Sequence, residues 1–179
     1  VILTREFGLA TVGTYTIAIV AIVALSLLCS SGLCYSLPRE PLTMGERNTV
    51  ALSWAVLTMP MTPLIAFPFG WLMARHAGEW LEIGLFACSG YFFGQISLLN
   101  TLLVLQQRTR WAIVPPLANT AGLIAGVLLS HTIVQFAAIL LFSRSCGSLW
   151  LFAGMQYQSM KAAHILRYCL NGLKYASMD

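Results

Sequence analysis

Charge is scarce in this sequence. Of its 179 residues 9% are charged, whereas a soluble domain carries about 25% to cover its surface with polar groups. Acid is scarcer still: five glutamates and a single aspartate, Asp179, make up the whole complement. Four stretches, Phe7 to Pro38, Asn48 to Ala74, Ile83 to Gln107 and Trp111 to Ser143, contain no Asp, Glu, Lys or Arg. Each is long enough to cross a hydrocarbon core about 30 Å thick as a helix. Inside hydrocarbon every backbone N–H and C=O must be bonded within the protein, and runs of this length without period-two alternation satisfy that as helices rather than barrel strands. With 58% hydrophobic residues, the expectation is an all-α, polytopic transmembrane helix bundle.

Catalytic constellations are also missing. His76, His131 and His164 are isolated, and no HxxxD or HExxH pattern joins them. Cys29, Cys34, Cys88, Cys146 and Cys169 show no CxxC spacing, and most lie in apolar stretches where a free thiol behaves as a small hydrophobe. Neither a Walker A loop nor a dinucleotide fingerprint occurs. The expectation is therefore a protein that is not an enzyme, with no catalytic residue, no metal site and no cofactor. The net charge of +4 does not argue for nucleic acid, because the cations flank apolar segments, where they contact membrane lipids and set orientation.

What is present is a run of apolar helices, expected at about residues 11 to 36, 49 to 74, 80 to 107, 111 to 130 and 132 to 157. Residues 1 to 10 read as the last turn of an earlier helix and its loop. Residues 158 to 179 read as a cytoplasmic linker and the start of a further helix, with Ile165, Leu166, Cys169, Leu170 and Leu173 at helical spacing and Lys161, Arg167 and Lys174 between them. They form either an amphipathic surface helix or the beginning of another span. A start at Val1, without a hydrophilic tail or signal-peptide pattern, suggests a piece of a longer protein.

Basic residues steer insertion. With these spans one side receives Arg39, Arg47, Arg108, Arg110, Lys161, Arg167 and Lys174 and the other Arg5 and Arg75, seven against two. The first side should be cytoplasmic, with Arg75, His76 and Ser130 outside, and the alternation requires that residues 111 to 157 divide into two spans near Ser130 and His131. Trp71 and Trp80 would mark the outer interface and Trp111 the inner one.

Gly90 with Gly94, and Gly122 with Gly126, are small-xxx-small pairs that let helix backbones approach closely. Pro60, Pro63 and Pro68 fall within the second expected span, where each removes an i to i−4 hydrogen bond; they predict a bent or broken helix. Pro115 and Pro116 stand at a helix start, where proline is cheap.

Arg144 lies in the middle of the fifth apolar segment. Turned inward, its guanidinium could hold a phosphate or carboxylate through two parallel bonds; alternatively it snorkels to head groups from an interrupted SRSCGS stretch. Gln95, Asn100, Asn119 and Gln135 either line the same interior or bond helix to helix. Glu79 and Glu82 sit at an outer helix N-terminus, where the helix dipole stabilises them.

The opening LTREFGLATVGTYTIAIVAIVALSLLCSSGLCYSLPRE, with Arg5, Gly13 and Tyr15 before an apolar helix and Gly32 and Arg39 after it, resembles the first-to-second-helix region of the bacterial polysaccharide (O-antigen type) flippases of the multidrug/oligosaccharidyl-lipid/polysaccharide exporter superfamily. YFFGQISLLNTLLVLQQRTRWAIV is similar to that family's fourth helix, short basic loop and fifth helix, and HILRYCLNGL to the start of its seventh. The resemblance implies one lobe of a MATE-like transporter in the inner (plasma) membrane. Its partners would be the remaining C-terminal lobe and a polyprenyl-pyrophosphate-linked glycan, exported for polysaccharide or lipopolysaccharide biosynthesis by ion-driven alternating access. Drug or metabolite efflux coupled to a cation is the alternative within the superfamily, and a small nontransporting membrane subunit, with the glycine pairs as partner surfaces, is the alternative outside it.

Overall fold

The computed structural model describes residues 9–30, 32–74 and 78–176, and all regular structure among them is helical. The expected end of an earlier helix over residues 1 to 8, and Arg5, Arg75 and His76, lie outside the described residues. The helices are α1 (Leu9–Ser30), α2 (Leu33–Ser36), α3 (Met44–Thr58), α4 (Met61–Met73), α5 (Glu79–Leu105), α6 (Thr109–Ala112), α7 (Val114–Leu129), α8 (Ile133–Ala153) and α9 (Ala162–Ala176). Among the described residues three segments are long and apolar enough to cross a membrane: Glu79–Leu105, Arg110–Leu129 and Ile133–Ala153. The number is four if α3 and α4, bent by 44° at their junction, form one broken span.

Helix α5 is the centre of the bundle, packing against α1, α4 and α8, while α7 packs on the far side of α8. Its role follows from its sequence. Gly90 and Gly94 present backbone instead of side chain, and α1 closes onto it: a Cβ at Gly90 would stand 2.5 Å from Ile22 Cα, and one at Gly94 would stand 2.8 Å from Ser26 Cα. Real Cβ atoms essentially never come so near. The second glycine pair serves α7 against α8, where Gly122 lies under the Ser143 side chain and Gly126 under the Phe136 ring. Phe136 continues inward to Phe86 at 6.0 Å between ring centroids.

Several boundaries depart from the sequence expectation for identifiable local reasons. Helix α1 stops at Ser30, and Gly32, in the left-handed region at φ 67°, turns the chain into the short α2 rather than letting one helix run to residue 36. The second span starts at Met44, not 49, because Thr43 and Glu46 form a capping box: Thr43 Oγ1 accepts from Glu46 N, and the Glu46 carboxylate accepts from Thr43 N at 2.8 Å. The three prolines do not act alike. Pro60 caps α4 at the break, Pro63 lies in the first turn of α4, where a missing N–H costs little, and only Pro68 is inside a helix. The apolar run from Trp111 divides as α7 ends at Leu129 and Thr132 caps α8 through Gln135 N.

At the end of the bundle where α5 finishes, the chain from Gly154 to Lys161 forms an extended strap. Asn48, 1% exposed, donates to Gln156 O at 2.8 Å and accepts from Gln106 Nε2 at 2.9 Å. Thr49 donates to Gln158 O at 2.8 Å, and Gln158 N returns a bond to Thr49 Oγ1 at 3.1 Å. Arg108 Nη1 reaches Gly154 O. The strap leads into α9, which packs on α2 and α3.

Candidate functional site

Helix α8 runs uninterrupted through Ser143, Arg144 and Ser145, so the SRSCGS stretch is not a break, and the Arg144 side chain turns into the bundle. Arg144 is 9% exposed. Its Nε donates to Asn119 Oδ1 on α7 at 2.8 Å, its Nη1 donates to Ser89 Oγ on α5 at 2.9 Å, and its Cζ stands 5.2 Å from the centroid of the Phe93 ring. Two neutral acceptors and an aromatic face orient the guanidinium. Ser143 adds a second tie between the same helices, donating to Ala118 O at 2.5 Å.

Phe93 also faces a polar groove of about 570 Å³ between α1, α2 and α5, whose lining includes Ser26, Ser30, Tyr35, Ser97 and Asn100. At 100° per residue, Ser89, Phe93, Ser97 and Asn100 fall within one quadrant of α5. They form a stripe about 16 Å long, with Arg144 at its inner end and Asn100 toward the end of the bundle that carries the strap. Asn100 Oδ1 is buried and accepts no hydrogen bond among the described residues.

The other polar residues singled out from sequence are placed differently. Gln95 is six residues, or about 120°, away from Ser89 around α5 and faces α3. Its Nε2 donates to Tyr91 Oη at 2.6 Å, and Tyr91 in turn donates to Ala55 O at 2.8 Å and bonds Thr58 Oγ1 at 2.9 Å. This buried cluster binds α5 to the last turn of α3, immediately before the break at Pro60. Gln135 is not in the interior at all: its side chain accepts from His131 N at 2.8 Å at the exposed start of α8. A Thr-x-x-Gln sequence before an apolar run is a helix-start signal, and that local use takes the side chain. Asn119 alone of the four joins Arg144.

Sequence reading missed Ser89, Phe93 and Tyr91. Ser89 is 55 residues from Arg144, and nothing in either neighbourhood announces the pairing. Tyr91 carried a signal, being a hydroxyl-bearing ring four residues before Gln95 within an apolar run, the spacing that puts two side chains on one helix face.

Among the described residues, no group of three or more His, Cys, Asp or Glu side chains is arranged to hold a metal ion. A second groove of about 660 Å³, almost wholly apolar, lies where α4, α5 and α8 meet, against Met59, Pro60, Pro63 and Tyr91. No protein-family model, curated protein or solved structure matches the chain with significant similarity.

Proposed function

We propose that the chain is one lobe of a membrane transporter whose substrate carries a negative charge, the lipid-linked oligosaccharide flippases being the family it resembles. In this reading α1 is a fifth span, since its 22 residues reach about 33 Å, and the bundle sits in a plasma membrane with the strap end in the cytoplasm. The observation that carries the proposal is the position of Arg144: a guanidinium inside the spans, stacked on Phe93, whose ring also lines the polar groove along α5. An ionisable group at such depth is costly and marks a pathway or binding site more often than a packing contact.

Two alternatives are less well supported. Cation-coupled efflux calls for a carboxylate deep in a span, whereas Glu46, Glu79 and Glu82 stand in the first turns of α3 and α5. A nontransporting subunit would need its small-residue faces for partners, but Gly90, Gly94, Gly122 and Gly126 are all spent within the chain, on α1 and α8.

The test is export of glycan to the cell surface by the full-length protein. Arg144→Ala should abolish export at a normal protein level and Arg144→Lys should retain part of it, because Lys keeps the charge but not the forked geometry. Wild-type export by Arg144→Ala at a normal protein level rejects the role.

A further inference from the structure

Helix α9 has two different apolar faces, and only one is packed among the described residues. Ile165, Tyr168 and Cys169 turn toward α2 and α3, with Cys169 3% exposed. A quarter-turn away, Leu166, Leu170 and Leu173 repeat at i, i+4 and i+7 and are 55%, 50% and 39% exposed. Arg167 and Lys174 run beside this leucine row, about 90° around the helix, and the two rows line a shared groove of about 720 Å³.

Three observations say what covers the leucine row. First, it is continuous with the lipid-facing surface of the bundle: Leu166 shares a groove with Leu57 of α3, itself exposed like its neighbour Val56. Second, the basic row lies at the polar end of the molecule, with exposed Arg39 on the α2–α3 connection, Arg108 on the α5–α6 turn, Arg110 on α6 and Lys161 on the strap. Third, α9 is fixed at that level by Asn171 Nδ2, which donates to Glu40 Oε1, and by the strap that precedes it. An amphipathic helix held at the bilayer boundary, apolar on one row and basic on the next, has the chemistry of an interfacial helix in anionic lipid.

We propose that α9 is an anionic-phospholipid docking helix: Leu166, Leu170 and Leu173 enter the acyl boundary while Arg167 and Lys174 bind lipid phosphates, coupling the order of α9 to the charge of the surrounding leaflet. The inference rests on membrane embedding and is independent of transport.

The experiment is backbone hydrogen exchange of residues 162–176 in the full chain, reconstituted as one copy per nanodisc in phosphatidylcholine alone or in phosphatidylcholine with a quarter phosphatidylglycerol. Exchange of α5 in the same samples reports whether the bundle is folded. Protection of α9 should rise about 25-fold in the anionic disc, about fivefold for each of the two cations, with α5 unchanged. Arg167→Gln and Lys174→Gln should each remove about fivefold of that gain, Arg167→Lys should keep it, and Leu170→Ser should lower protection in both lipids. Equal protection in the two lipids, a lipid effect untouched by removing both cations, or protection that appears only with two copies per disc overturns the proposal, the last by assigning the face to a second copy of the chain.

Discussion

Tyr91 on α5 donates its hydroxyl proton to the carbonyl of Ala55 on α3 at 2.8 Å. That carbonyl already accepts from Met59 N at 2.9 Å in the final turn of α3, one residue before the proline that breaks the span. Tyr91 therefore braces the helix end that the break leaves, and Thr58 and Gln95 complete the brace. Tyr91→Phe keeps the ring and removes the hydroxyl, taking the acceptor from Gln95 Nε2 inside the bundle while Thr58 Oγ1 keeps Trp54 O. The expected cost is about 1 kcal/mol, the scale of a buried hydrogen bond between membrane helices. Reversible unfolding in mixed detergent micelles measures it, and an unchanged midpoint would show that the bend needs no brace.

Glycines are predicted to resist replacement where a neighbouring helix backbone crosses them and to tolerate it where a Cβ meets only ordinary contacts. At Gly90 and Gly94 a methyl group meets the α1 backbone at Ile22 and Ser26, and backbone cannot rotate away. Gly90→Ala and Gly94→Ala should each destabilise by about 1–3 kcal/mol, the range for overpacking. On α8, a Cβ at Gly147 meets Ala118 Cβ at 3.6 Å and Ile96 Cδ1 at 4.0 Å, ordinary contacts. Gly147→Ala should be neutral or stabilising by up to about 1 kcal/mol, from helix propensity. Similar losses at all three positions would refute the close crossing of α1.

The contrast between these sites and the rest of the chain shows which kinds of information a sequence of this type carries. Helix α5, expected over 80 to 107 and found over Glu79–Leu105, was legible because the absence of charge in hydrocarbon is a strong constraint read one residue at a time. The start of α3 was not, because Glu46 and Arg47 read as loop residues when charge alone is followed, although the Thr43-x-x-Glu46 box was available as a local signal. Arg144 could be found by its isolation among apolar residues. Which polar residues would join it could not be, because Gln95, Asn100, Asn119 and Gln135 differ in helix phase and in partner, and phase between helices is set by long-range packing. Gln135 is the instructive case: a residue polar enough for a cavity was used one turn from a helix start.

Burial of Cys169 gives α9 a chemical reporter. Its thiol, packed against α2 and α3, is pushed up from 9.0 to about 11 by desolvation. Because the folded value lies above the unfolded one, the contribution of this packing is complete below pH 9 and is lost as pH rises toward 11. Alkylation of Cys169 by iodoacetamide, followed by mass spectrometry of its peptide, should stay slow through pH 9 and accelerate toward pH 11. Alkylation at the rate of a free thiol at pH 8 would mean that α9 does not stay docked.

The strap makes the last prediction the most exacting, because it depends on one side chain with two partners far apart in sequence. Asn48 uses its amide nitrogen for Gln156 O and its oxygen for Gln106 Nε2, so a substitution can remove one function and keep the other. Asn48→Asp retains an acceptor for Gln106 but replaces the donor with a second acceptor facing the Gln156 carbonyl, which repels it. Asn48→Leu removes both and leaves Gln156 O and Gln106 Nε2 without these partners. Losses of about 1–3 kcal/mol are expected for each, and they should fall unequally along the chain. Hydrogen exchange should rise in residues 154–176 for both variants, while α5 and α8, which do not hang from the strap, keep their protection. Uniform exchange across all the helices would mean that Asn48 supports the bundle as a whole, and that the strap is not the element that sets the position of α9.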